Sequence, residues 1–164
     1  MPLTYSRIEE QLTDALPEIR PAAERYWREE GPEGQDSGAY IFIEDLFAKY
    51  LGILLAMDPS TSRDHWLRRA FDFVEEMMAS SDDNIVNVAT IGIFEGRELW
   101  WLASAAPFLG HRTMEVLDRF QPEWRQHAAS TDRPTDRERR DIFDLYGVRE
   151  VIANSEQRRA DSEE

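Results

Sequence analysis

The sequence predicts an all-α fold, an irregular multi-helix bundle or short HEAT-like stack of about six to eight helices. Three observations carry that expectation. Apolar residues recur every three or four positions through most of the chain, the spacing of amphipathic helices. Turn formers and capping residues fall between the periodic stretches. Period-two alternation bounded by hairpin turns, the mark of strands, occurs nowhere.

The first periodic stretch starts near Thr4 and carries Ile8, Leu12, Leu16 and Ile19. Pro17 and Pro21 break or kink it before Tyr26 and Trp27. Residues 31–38 are dense in Gly, Pro, Asp and Ser and predict a solvated loop. A second helix, residues 40–57, presents Ile43, Leu46, Phe47, Tyr50, Leu51, Leu54 and Leu55 on a broad apolar face and ends at Asp58-Pro59. Ser60 or Thr61 caps a third helix running to about Ala79. That helix bears two adjoining stripes, Leu67, Ala70, Phe71, Val74 and Met78 beside Trp66, Ala70, Phe73 and Met77, so it is expected to be central and covered on two sides.

Ser81-Asp82-Asp83 reads as a turn and N-cap for a fourth helix over residues 84–94. Its apolar side chains Ile85, Val86, Val88, Ala89, Ile91, Ile93 and Phe94 point nearly all round, which predicts burial. A fifth helix begins around Leu99 and stops at Pro107 and Gly110. A sixth, from Thr113, directs Met114, Val116, Leu117, Phe120 and Trp124 inward. From Ser130 the composition turns to Asp, Arg, Glu and Ser. Only residues 135–146 read as an amphipathic helix there, with Ile142, Phe143, Leu145 and Tyr146, expected to dock weakly. Residues 154–164 are expected to form a frayed helix or disordered tail. The resulting division is a single acidic helical domain over residues 1–131 and a charged C-terminal helix and tail over 132–164.

Of the 164 residues, 33 are acidic and 19 basic, a formal net charge of -14. Such a field repels phosphate backbones and anionic headgroups, so neither nucleic acid nor a membrane is an expected partner, and a cationic protein would be steered in. The same charge also serves simple solubility. The absence of cysteine rules out disulfides and thiolate chemistry, and with no signal-like N-terminus or membrane-length apolar run the expected location is the cytoplasm.

Catalytic patterns are missing. His65, His111 and His127 form no His-Glu-x-x-His pair, and no Gly-x-Ser-x-Gly or Gly-rich phosphate loop is present. No cofactor, metal or enzymatic activity is therefore expected. The carboxylate doublets Glu44-Asp45, Glu75-Glu76 and Asp82-Asp83 point about 100 degrees apart on a helix and do not converge by themselves. They read as solvated faces or as an acidic docking surface. Trp100 and Trp101 are adjacent and cannot face the same core layer, so one is either exposed as a binding anchor or covered by the C-terminal helix.

The segments Ala39-Tyr40-Ile41-Phe42-Ile43-Glu44-Asp45-Leu46, Phe71-Asp72-Phe73-Val74-Glu75-Glu76-Met77-Met78 through Glu95, and Pro107-Phe108-Leu109-Gly110-His111-Arg112-Thr113 together resemble a family of small, acidic, all-helical bacterial proteins of unassigned function. These in turn resemble the immunity proteins encoded beside polymorphic toxins. The resemblance covers about residues 1–127 and implies a stoichiometric protein binder whose partner is a basic toxin domain, with a nuclease the best-suited target. It carries over no functional residue. Two other classes are weighed beside it: a helical bundle holding a metal or ligand through carboxylates, and a homodimeric scaffold with the Trp100 region as its self-contact.

Overall fold

The computed structural model describes residues 2–31, 39–142 and 144–162. Residues 32–38 of the expected loop, Phe143 of the expected C-terminal helix and residues 163–164 of the expected tail lie outside the described residues. Everything described is helix, turn or irregular connection, with no strand among the described residues.

Helix α1 (Ile8–Ala15) and helix α2 (Arg20–Glu30) are separated by a short 3-10 turn at Pro17–Ile19, where the prolines fall. The second predicted helix is one helical run made of α3 (Tyr40–Phe42), a π turn (Ile43–Phe47) and α4 (Ala48–Ala56). Helix α5 (Thr61–Met78) begins at Ser60, whose hydroxyl accepts the Arg63 N–H at 3.1 Å. Asp82 caps α6 (Asp83–Ala89) by accepting the Asn84 N–H at 2.9 Å, and a second π turn (Thr90–Phe94) continues that run. Helices α7 (Leu99–Ala105), α8 (His111–Phe120) and α9 (Trp124–Ala128) complete the part where the apolar pattern is dense.

Helix α5 is the hub, touching α1, α4, α6 and α8, and both of its apolar stripes are buried, from Trp66 and Leu67 through Phe73, Val74, Met77 and Met78. Neighbouring rings meet edge to face, Phe47 on Phe73 and Phe94 on Trp101, the arrangement favoured by ring quadrupoles. Polar ties fix the N-terminal helices to each other and to this core. Glu9 accepts the Trp27 indole N–H at 2.9 Å, and Glu18 accepts the Tyr50 hydroxyl at 3.0 Å while facing Arg69.

The C-terminal region departs from its expected form in two ways. The expected single helix ends early, as α10 (Asp136–Asp141), and a longer helix, α11 (Val148–Ser162), comes after it. Gly147 takes the left-handed conformation between them (φ 75°), and Asp144 accepts the Val148 and Arg149 N–H groups at 2.8 and 2.9 Å, which starts α11. Tyr146, Val148, Val151 and Ile152 are buried against α2, α4 and the Pro17–Ile19 turn. Tyr146 packs edge to face on Tyr26 at 5.2 Å. Burial, followed by Glu9 for Tyr26 and Glu30 for Tyr146, pushes both phenols up to about 12. Local spacing under-read this dock because its apolar residues straddle a glycine turn. No helix among the described residues is long and apolar enough to cross a membrane.

Candidate functional site

The residues singled out from the sequence do not gather at one place. Glu44, Glu76 and Asp83 are exposed, Asp45 is half-buried, and Asp82 is occupied as a helix cap. Burial raises the Asp45 carboxyl above its ordinary range, with the neighbouring Glu44 charge adding to the effect. Glu75 is no free acid on a docking face. Its carboxylate accepts the Arg112 N–H at 2.6 Å, the Thr113 N–H at 3.0 Å and the Thr113 hydroxyl at 2.7 Å, so it caps α8 from a different helix. Gly110 makes room for this, because a Cβ at that position would collide with the Glu75 carboxylate. Two of the sequence segments that carried the family resemblance thus meet at a single hydrogen-bonded joint.

Trp100 and Trp101 are both buried, at 3% and 2% exposure, and neither is a surface anchor. Adjacent helical side chains diverge, but α7 is covered on both of the sides they reach. Trp101 enters the core between Phe71 and Phe94, while Trp100 lies under the C-terminal region and donates its indole N–H to Glu138 at 3.0 Å. Of the histidines, His65 and His111 are exposed, and His111 pairs with Glu115 at 2.8 Å. Among the described residues no three His, Asp or Glu side chains stand close enough together to hold a metal ion.

What the structure does assemble is a cleft of about 520 Å³ between the second π turn, the loop after it, the C-terminal end of α8 and α9. Ile91, on a helix expected to be buried all round, and Phe120, expected to point inward, instead stand on its walls at 47% and 57% exposure. Ile91 lies on the helix face of Asn84 and Asn87, both exposed, while Ile85, Val88, Ala89, Gly92 and Ile93 share the buried face. The π turn, with its i to i+5 bond from the Glu95 N–H to the Thr90 C=O at 3.1 Å, inserts one residue, and it is Phe94, which a regular helix would aim toward the Asn87 side, that this turns inward. Gly92 lets the first π turn pack directly on this run, with Ile43 Cγ2 only 3.0 Å from where a Cβ would sit, so a larger residue would push Ile43 aside by a few tenths of an ångström. The run is closed by Arg97, whose guanidinium donates to the Ile93 and Gly92 carbonyls and lies 5.7 Å above the Trp101 ring. Burial pulls the Arg97 guanidinium below its usual range, with Glu98 and Glu44 opposing that shift.

The opposite wall is equally fixed. Trp124 donates its indole N–H to Asp118 at 2.7 Å, and Arg125 grips the same carboxylate with two bonds of 3.0 and 3.1 Å while lying 4.6 Å over the Trp124 ring. Asp118 is accordingly held below the usual carboxylate range, by Arg125 first and Trp124 second. Leu102 and Trp124 supply an apolar floor, and the exposed Glu95 and Glu123 supply an acidic rim. Apolar walls with carboxylates above them suit a cationic segment carrying an apolar side chain. The sequence held one hint of this cleft: the fourth helix is apolar all round, more than one small core can enclose.

No curated protein and no solved structure matches the chain. A family model described as a domain of unknown function, DUF7674, matches residues 9–125, which include both π turns, the Glu75 to Thr113 joint and most of the cleft. That match spans well over half of the 164 residues, and the chain therefore belongs to the DUF7674 family.

Proposed function

We propose that this protein is a non-enzymatic, cytoplasmic binding module of the immunity type, which neutralises a basic toxin domain by covering its cationic surface. The observation that supports the reading best is the Ile91 and Phe120 cleft with its Glu95 and Glu123 rim, set in a chain of net charge -14. Exposed aromatic and aliphatic anchors supply short-range affinity, and the surrounding negative field steers a cationic partner and disfavours anionic ones. A nuclease is the best-suited target, because a surface built to hold phosphate presents cations to an acidic inhibitor.

The test is co-expression with the product of the adjacent gene, followed by co-purification at moderate salt and a protection assay in cells. A basic protein should co-purify in a stoichiometric complex and lose its toxicity. An Ile91→Ser/Phe120→Ser variant should release it and restore killing. The reading fails if the protein emerges alone and protects cells from no neighbouring toxin, or if the double variant binds as the original does. A concentration-dependent dimer dispersed by the same double variant would replace this reading with a self-contact.

A further inference from the structure

A second cleft, of about 440 Å³, lies on a different part of the molecule, between the end of α4, the first turns of α5, the end of α7 and the segment leading into α10. Four arginines line it, Arg63, Arg68, Arg133 and Arg139, against only Asp58 and Asp64. In a chain with 33 acidic and 19 basic residues this is a local reversal of sign.

The arginines differ in how far they are neutralised. Arg63 is 8% exposed and satisfied, donating to the Met57 carbonyl at 2.8 Å and to Asp64 at 3.1 Å, which occupies the Asp64 charge. Arg139 reaches Asp58 only at 3.4 Å, through a carboxylate that is 90% exposed, and its buried Nε has no hydrogen-bond partner. Arg133 bonds only to the carbonyl of Asp132, and Arg68 has no hydrogen bond or ion pair among the described residues. Unneutralised guanidinium groups around one concavity repel one another, and an anion between them relieves that repulsion. The positive end of the 18-residue helix α5 adds to the field. One wall is apolar, formed by Leu55 and by Phe108, whose ring stacks on Phe71 at 6.1 Å.

We infer that this cleft binds a compact phosphate-bearing small molecule, its phosphate oxygens held by Arg68, Arg133 and Arg139 and its organic part lying against Phe108 and Leu55. The planar fork of guanidinium matches phosphate oxygens two at a time. The volume is of the size that encloses a small ligand. A nucleic acid strand does not fit the same field, since it would run off the arginines onto an acidic exterior. Arg133 and Arg139 lie beyond the family-matched residues 9–125, so the C-terminal region completes the site. The inference stands apart from the partner-binding cleft and does not depend on it.

The test is calorimetric titration of the full chain with sodium pyrophosphate and with AMP, and with citrate as a carboxylate control, all at one ionic strength. Saturable binding of pyrophosphate or AMP is expected, tighter than citrate. An Arg68→Ser/Arg133→Ser variant should weaken it by roughly tenfold or more, since each substitution removes a charge-assisted contact. Neither side chain is in an ion pair among the described residues, so the variant should keep the helical circular dichroism of the parent. If the double variant unfolds, each single variant should still weaken binding by about threefold. Absence of saturable binding at millimolar ligand overturns the inference, as does equal affinity in the variants. Citrate binding as tightly as pyrophosphate overturns the phosphate assignment.

Discussion

Replacing Glu75 by alanine separates a structural carboxylate from a solvated one, with its neighbour Glu76 as the control. Three donors lose their acceptor: the Arg112 N–H, the Thr113 N–H and the Thr113 hydroxyl. Hydrogen bonds to a charged group contribute about 1.5–3 kcal/mol each, and the sum is not additive. Water can reach part of the half-buried Glu75 site, but Thr113 is 1% exposed, so its two donors stay largely unsatisfied. We expect Glu75→Ala to destabilise by about 2–3 kcal/mol, which for a chain of this size lowers Tm by about 4–12 °C. Glu76 is exposed and makes no hydrogen bond among the described residues, so Glu76→Ala should stay within about 0.5 kcal/mol of the parent.

Gly110→Ala provides the cross-check. The backbone there (φ -80°, ψ 169°) is open to any residue, so its cost comes from the collision between the new Cβ and the Glu75 carboxylate. In the parent it should destabilise by about 2 kcal/mol, and in a Glu75→Ala background by clearly less, a coupling above about 1 kcal/mol in a double-mutant cycle. Urea unfolding followed by far-UV circular dichroism measures all four species. Equal losses for Glu75→Ala and Glu76→Ala, or an additive cycle, would refute the reasoning.

Ile91→Ser and Phe120→Ser should each lower stability by no more than about 1 kcal/mol, because both side chains are already about half exposed; a loss above about 2 kcal/mol in urea would return them to the core. Asp118 has a depressed folded pKa, so its contribution is complete above the unfolded value near 4 and lost as pH falls through the folded value; Asp118→Asn should flatten the acid limb of a stability profile below about pH 4. Asp45 is shifted the other way, so ionising it opposes folding; Asp45→Asn should stabilise at pH 7, with a gain that fades as pH falls through the raised folded value toward the unfolded one. Truncation after Thr131 removes Tyr146, Val148, Val151 and Ile152 from the core and uncovers Trp100; a loss of at least about 3 kcal/mol and a red-shifted tryptophan emission are expected, and an unchanged spectrum would show that the region does not cover Trp100.

Local chemistry fixed much of this fold before any contact was known. The spacing of Leu67, Phe71, Val74 and Met78, the caps at Ser60 and Asp82, and the breaks at Pro17 and Pro59 act within one or two turns of the chain, so they are legible in order along it. Helical class, helix starts and the central place of α5 derive from them. Tertiary structure decided what each surface residue is for. Glu75 reads as half of an acidic doublet until α8 arrives 37 residues later, and Trp100 reads equally as an exposed anchor or a covered side chain until Glu138 reaches it from 38 residues away. Ile91 belongs to a run that reads as buried all round, but no other helix covers its face, and the arginines at 63, 68, 133 and 139 become one site only when α5 and the α10 segment meet. Periodicity reports how a side chain is aimed about its own helix axis. Which other helix stands there, and whether it brings a donor, a ring or a charge, is set by packing between segments far apart in sequence.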